Sequence, residues 1–184
     1  MKTDPAQSYE TELKTAVALA REAGSAILAQ YKKPLHVEQK TNLDDVEPVT
    51  QADRIANELI VNGLKKEFPG DGILAEESID TARRLSKSRV WMVDPLDGTN
   101  GFIDGNGDFA VQIGLVEEGE PVVAVVYLPL SDVLYRATIH NGTWIERPQT
   151  EAEKATVSDR KTFADMRLAA SRSHRSPRMN KVVE

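Results

Sequence analysis

The sequence predicts an α+β fold, an antiparallel sheet with two N-terminal helices packed on one of its faces. Three observations predict it. Two segments near the N-terminus repeat their apolar residues with a helical period. A run of short apolar segments separated by turn residues follows them. The 184 residues suffice for one substantial core and are tight for two domains. The composition, 40% hydrophobic and 28% charged, is that of an ordinary globular chain.

Within residues 9–31, Leu13, Ala16, Val17, Ala20, Ala23, Ile27 and Leu28 fall on one helical stripe, and Pro34 closes the segment. Residues 37–47 are polar, include Asn42, Asp44 and Asp45, and read as a loop. Thr50 with Asp53 three residues later is a capping-box-like pair, so a second helix starts there. Ile55, Leu59, Ile60, Leu64 and Phe68 are its predicted buried stripe, and residues 69–72 end it.

A short strand over residues 73–75 runs into Glu76, Glu77 and Ser78. After an exposed charged stretch at 80–89, a buried strand at 90–93 delivers Asp94. Residues 110–116, 122–128 and 133–139 are strands separated by turns, which points to an antiparallel meander. Residues 151–158 read as a polar linker and 166–170 as a further strand. Residues 176–184 look like the start of a helix, with Pro177 in its first turn. A helix that short is marginal alone. The expectation is one domain over residues 1–184 that is a fragment of a longer protein.

The chemistry concentrates at Asp94-Pro95-Leu96-Asp97-Gly98-Thr99. Two carboxylates three residues apart on a proline-stiffened turn repel each other unless a cation lies between them. Oxygen donors of this kind suit a hard divalent ion. Its first five residues, Asp94 to Gly98, are also good turn chemistry and need no further role. Gly98, Thr99 and Asn100 could open a helix or a nest of amides, which binds phosphate through N–H groups. Glu76 and Glu77 end the preceding strand and could reach the same ions, although a Glu-Glu pair is usually solvated surface. Asp53 has a sound alternative as a helix cap, and both roles can hold together.

Other patterns fail on inspection. Asp104, Asn106 and Asp108 start like a calcium loop, but Phe109 and Leu115 stand where glycine and glutamate are needed. The Gly105–Ala110 glycines precede a strand, whereas a dinucleotide fingerprint follows one. His36, His140 and His174 are scattered, and with no cysteine neither a zinc site nor a disulfide framework is expected. The missing cysteines and the lack of a secretory start fit a cytoplasmic location. No apolar run reaches membrane-spanning length. The net charge of −6 argues against a nucleic-acid polymer and implies that cations assist any phosphorylated ligand.

The order Thr50-x-x-Asp53, then Glu76-Glu77-Ser78, then Asp94-Pro95-Leu96-Asp97-Gly98-Thr99 resembles the inositol monophosphatase superfamily. The resemblance implies the N-terminal half of that family's layered sandwich, without the C-terminal half. It implies Mg2+-dependent, usually lithium-sensitive hydrolysis of phosphate monoesters, with two or three ions per site. By matching position, Glu76, Asp94, Asp97 and the Leu96 carbonyl would be metal ligands, with Asp94 bridging two ions. Asp53 and Thr99, with Glu76, would activate water, while Asp97 and the amides of Gly98 and Thr99 would meet the phosphate. Glu77 is left beside the ligands. The segments 107–111 and 119–129, and Ser171-Arg172-Ser173-His174, resemble the bisphosphate nucleotidase branch, with Ser171, Ser173 and His174 as substrate contacts.

One departure stands out. The family supplies a last metal-ligand aspartate from a tryptophan-aspartate pair opening a helix, and here Ile145 follows Trp144. Weak or absent activity is therefore expected of this chain alone. The leading expectation is hydrolysis of the 3′-phosphate of adenosine 3′,5′-bisphosphate without a covalent intermediate. Inositol-1-monophosphatase activity is the alternative, and an inactive metal- or phosphate-binding module a second. The partner is a small phosphorylated substrate, and a homodimer is one admissible assembly.

Overall fold

The computed structural model describes residues 8–34, 37–41, 46–80 and 82–167. Helix α1, Glu10–Gln30, follows the expected stripe, with Ala16, Ala20, Ala23 and Ile27 fully buried. Leu19 takes a buried place on that face, while Leu28 turns outward. Past the helix, Lys32 adopts a positive φ of 59°, so the chain has already turned before Pro34.

Helix α2, Gln51–Glu67, starts on the predicted capping box, with both reciprocal bonds formed. Its buried face is Ala52, Ala56, Ile60 and Leu64; Ile55 and Leu59 lie at the margins, only partly covered. Small residues let α1 and α2 approach closely. A Cβ at Gly63 would stand 2.3 Å from Leu19 Cδ2, so any larger residue there would force the Leu19 side chain to shift.

The predicted loop at 37–47 is instead largely a hairpin. Strands β1, Val37–Thr41, and β2, Val46–Thr50, pair antiparallel, with Val37 opposite Thr50. The chain between them lies outside the described residues. Val37, Glu38 and Gln39 of β1 are all exposed, so this strand needs no apolar alternation and leaves no such signal in the sequence.

Seven further strands form one sheet in chain order: β3, Gly72–Ala75; β4, Arg89–Asp97; β5, Ala110–Glu117; β6, Glu120–Leu128; β7, Val133–Thr138; β8, Gly142–Glu146; β9, Glu153–Lys154. From β4 to β7 the pairing is the expected antiparallel meander, and β8 and β9 extend it beyond the predicted strands. The first pair differs: β3 runs parallel to β4, so the sheet is mixed. The chain between them returns over the sheet end through a 3-10 turn at Arg83–Ser86, a crossover rather than a hairpin.

The expected linker at 151–158 contains β9, a two-residue edge strand whose charged side chains suit an edge. Met166 and Arg167 are not in a strand; the rest of that predicted strand and the 176–184 helix start lie outside the described residues.

Strand alternation divides the sheet. Trp91, Val93, Ile113, Leu115 and Val125 are buried in one core with the stripes of α1 and α2. Met92, Gln112, Gly114 and Ala124 stand on the opposite, more open face. At the base, Arg89 ties the layers together through Glu12 at 2.8 Å, Glu117 at 3.0 Å and Asp71 at 3.2 Å. The buried Trp91 indole N–H also donates to Asp71, at 2.9 Å. No helix among the described residues is long and apolar enough to cross a membrane.

A candidate metal and phosphate site

Parallel pairing sends β3 and β4 to the same edge of the fold. The Glu76 N–H donates to the Val93 carbonyl at 3.0 Å, which extends the pairing beyond β3 and sets Glu76 beside Asp94. Beyond Asp94 the register shifts. Asp94 faces Gln112 and Asp97 faces Ala110, so three steps on β4 match two on β5. That bulge accommodates Pro95, which has no N–H to donate. The Leu96 N–H turns back to Asp94 Oδ1 at 3.2 Å. Gly98 then adopts φ 87°, and a Cβ there would lie 2.4 Å from the Asp108 carbonyl oxygen. Only glycine fits, and the turn it makes starts the short helix α3, Thr99–Ile103.

The start of α2 supplies the other wall. Asp53 is almost fully buried, and its Oδ2 accepts from the Thr50 N–H at 2.8 Å and the Thr50 hydroxyl at 2.5 Å. These bonds leave Asp53 Oδ1 aimed at Thr99, whose hydroxyl lies 3.1 Å from it and 3.2 Å from the Leu96 carbonyl oxygen. One hydroxyl proton serves one acceptor at a time, so Thr99 stands between the two. The cap that starts the helix is thus also the group that orients Thr99.

The electrostatics are those of crowded acids. Burial first, then the charge of Glu76, a hydrogen bond with Glu76 and the charge of Asp97, push the Asp94 carboxyl up to about 8. The opposing pull of the Leu96 N–H is smaller. Lys40 from β1 reaches Glu76 Oε1 at 2.6 Å and Glu77 Oε1 at 2.5 Å. Burial works against the Lys40 charge, but bonds to both glutamates outweigh it and hold the ammonium above the usual lysine range. Gln112 from β5 donates to Asp97 Oδ2.

The donor set here is carboxylate and carbonyl oxygen, which fits Mg2+. Among the described residues no three acidic or histidine side chains converge into a ready-built metal cage. Lys40 holds Glu76 and Gln112 holds Asp97. Glu76 and Asp94 open onto a groove of about 550 Å³ on the open sheet face, lined also by Leu74, Met92, Gln112 and Gly114 among others.

Asp53, Glu76, Asp94, Leu96, Asp97, Gly98 and Thr99 therefore come together, with Glu77 beside them under Lys40. Ser171, Ser173 and His174 lie outside the described residues. Trp144 sits in β8 and opens no helix. Sequence reasoning missed Lys40 and Gln112. Lys40 carries no signal beyond its charge, and Gln112 is found only from its register opposite Asp94.

The family model described as the Inositol monophosphatase family matches residues 8–183. The 3'(2'),5'-bisphosphate nucleotidase CysQ of Salmonella typhimurium is 44% identical over 120 residues, covering 65% of this chain and 48% of that protein. The inositol-1-monophosphatase of Bacillus subtilis is 31% identical over 144 residues, covering 78% of this chain and 54% of that protein. The crystal structure of CysQ from Bacteroides thetaiotaomicron, a bacterial member of the inositol monophosphatase family, superimposes with a TM-score of 0.69 at 33% identity. That match covers 95% of this chain and 68% of the other. The chain spans about half the length of the two sequence relatives.

Proposed function

The chain belongs to the inositol monophosphatase family, and from that premise we propose that it carries the larger part of a Mg2+-dependent phosphomonoesterase site. The observation that carries this reading is the placing of a part-buried Asp94 beside Glu76 and Asp97: burial first, then those neighbouring acids, push its carboxyl up to about 8. Such crowding is relieved by a bound cation. Glu76, Asp94, Asp97 and the Leu96 carbonyl are the residues that would hold Mg2+, two or three ions in all. Bound Mg2+ supplies positive charge for the phosphoryl oxygens and acidifies the attacking water.

The remaining work falls to the chain's own groups. Thr99, with its hydroxyl proton directed at Asp53, presents its oxygen lone pairs to a water and can accept that water's proton as it passes its own to Asp53. The amides of Gly98 and Thr99 at the start of α3 receive the phosphate. No side-chain nucleophile is needed, so hydrolysis proceeds without a covalent intermediate.

The nucleotidase relative supports a bisphosphorylated nucleotide as substrate; the proposed one is adenosine 3′,5′-bisphosphate, cleaved at its 3′-phosphate, and Ser171, Ser173 and His174 are its proposed contacts. The Bacillus relative supports inositol 1-phosphate as a second reading. Calorimetric titration of Mg2+ into the chain and into Asp97→Asn and Asp94→Asn tests the site. Binding that both variants weaken supports it. No binding, together with unaltered behaviour of Asp97→Asn, overturns it. Phosphate release from the two substrates, measured side by side, separates the two readings.

A further inference from the structure

We propose that Gln112 is a positioning residue for Asp97, fixing one carboxylate oxygen so that the other is presented to a divalent cation. This rests on the reading of Asp97 as a metal ligand. Gln112 lies within β5, directly opposite Asp94 in the antiparallel ladder, and therefore projects on the same face. The β4 bulge swings Asp97 round until its Oδ2 accepts from Gln112 Nε2 at 2.5 Å. Gln112 also lines the groove beside Glu76 and Asp94.

The chemistry of the donor matters. Asp97 is exposed, and an exposed carboxylate without a partner samples several rotamers, all but one lost when a cation is bound. An amide N–H removes that freedom without neutralising the carboxylate. A lysine or arginine in the same place would hold Asp97 equally well but compete with the cation, as Lys40 does at Glu76 and Glu77. Glutamine is long enough to cross from β5 to the bulge, and asparagine is one methylene shorter.

The test compares the 184-residue chain with Gln112→Leu, Gln112→Asn and Asp97→Asn, by Mg2+ calorimetry and by thermal melting without metal. Gln112→Leu and Gln112→Asn are expected to weaken Mg2+ binding about tenfold, the effect typical of groups that orient a metal ligand. Their metal-free melting midpoints stay at the parent value, which a purely structural role would not allow. Parent-like Mg2+ affinity in Gln112→Leu, with Asp97→Asn weakened, overturns the role of Gln112 and leaves the metal site standing. A large fall in the metal-free midpoint of both Gln112 variants overturns it as well. Parent-like binding by Asp97→Asn, or none by the parent, overturns the metal reading and this inference with it.

Discussion

Asp94→Asn is expected to stabilise the metal-free chain and to abolish most of its response to Mg2+. The Asp94 carboxyl rises from 3.8 to about 8 because burial and the charges of Glu76 and Asp97 disfavour its ionised form. The unfolded chain releases this proton near 3.8, while the folded chain keeps it up to about 8. The folded state thus binds more protons through that window, and stability falls as pH rises. Below the window both states are protonated and there is no penalty; above it the full penalty applies. A fully isolated group would cost about 1.4 kcal/mol per pH unit. Asp94 keeps part of its surface in water, so about 1–3 kcal/mol is expected at about pH 7.5. Asparagine keeps an acceptor for the Leu96 N–H and carries no charge. At about 2–4 °C per kcal/mol the variant should melt about 2–12 °C higher at that pH. The gain should shrink towards about pH 4. Thermal melts across pH, with and without Mg2+, measure both effects. A variant that melts lower than the parent at about pH 7.5, or a gain that does not change with pH, refutes the reasoning.

Lys40→Met removes a cation that competes for Glu76 and Glu77, and should tighten Mg2+ binding about two- to fivefold, in line with a partly exposed ion pair of up to ~1 kcal/mol; calorimetry reads it. Gly98→Ala places a Cβ 2.4 Å from the Asp108 carbonyl oxygen at a φ of 87° and should cost about 2–3 kcal/mol in chemical denaturation, with a weaker Mg2+ response. Arg89→Met leaves Glu12, Asp71 and Glu117 clustered without their shared cation and should cost about 3–5 kcal/mol by the same measurement. Because that network lies at the base of the sheet, Mg2+ affinity of the folded Arg89→Met fraction should not change.

Features that depend on near neighbours were legible in the chain. Thr50 and Asp53 lie three residues apart and close the capping box within one turn, so their residue types suffice. The stripes of α1 and α2 and the strands of the meander are likewise written in apolar periodicity. The β1–β2 hairpin was not, because the exposed residues Val37, Glu38 and Gln39 of β1 show no apolar alternation. Nor was the parallel pairing of β3 with β4, since strand direction depends on the route of residues 76–88 rather than on the strands' composition.

By itself, the sequence determined which oxygen donors stand side by side. Asp94, Leu96, Asp97, Gly98 and Thr99 lie within six consecutive residues, from the end of β4 into α3, and chain connectivity alone keeps them together. The tertiary structure decided what surrounds those carboxylates. Parallel pairing brings Glu76 to Asp94, the helix cap turns Asp53 onto Thr99, and the bulge lays Asp97 on Gln112. Lys40 meets Glu76 only because the hairpin folds over the end of β3. Hydrogen bonds and ion pairs act over a few ångströms, and partners that far apart in the chain come within that range only when the whole fold is formed.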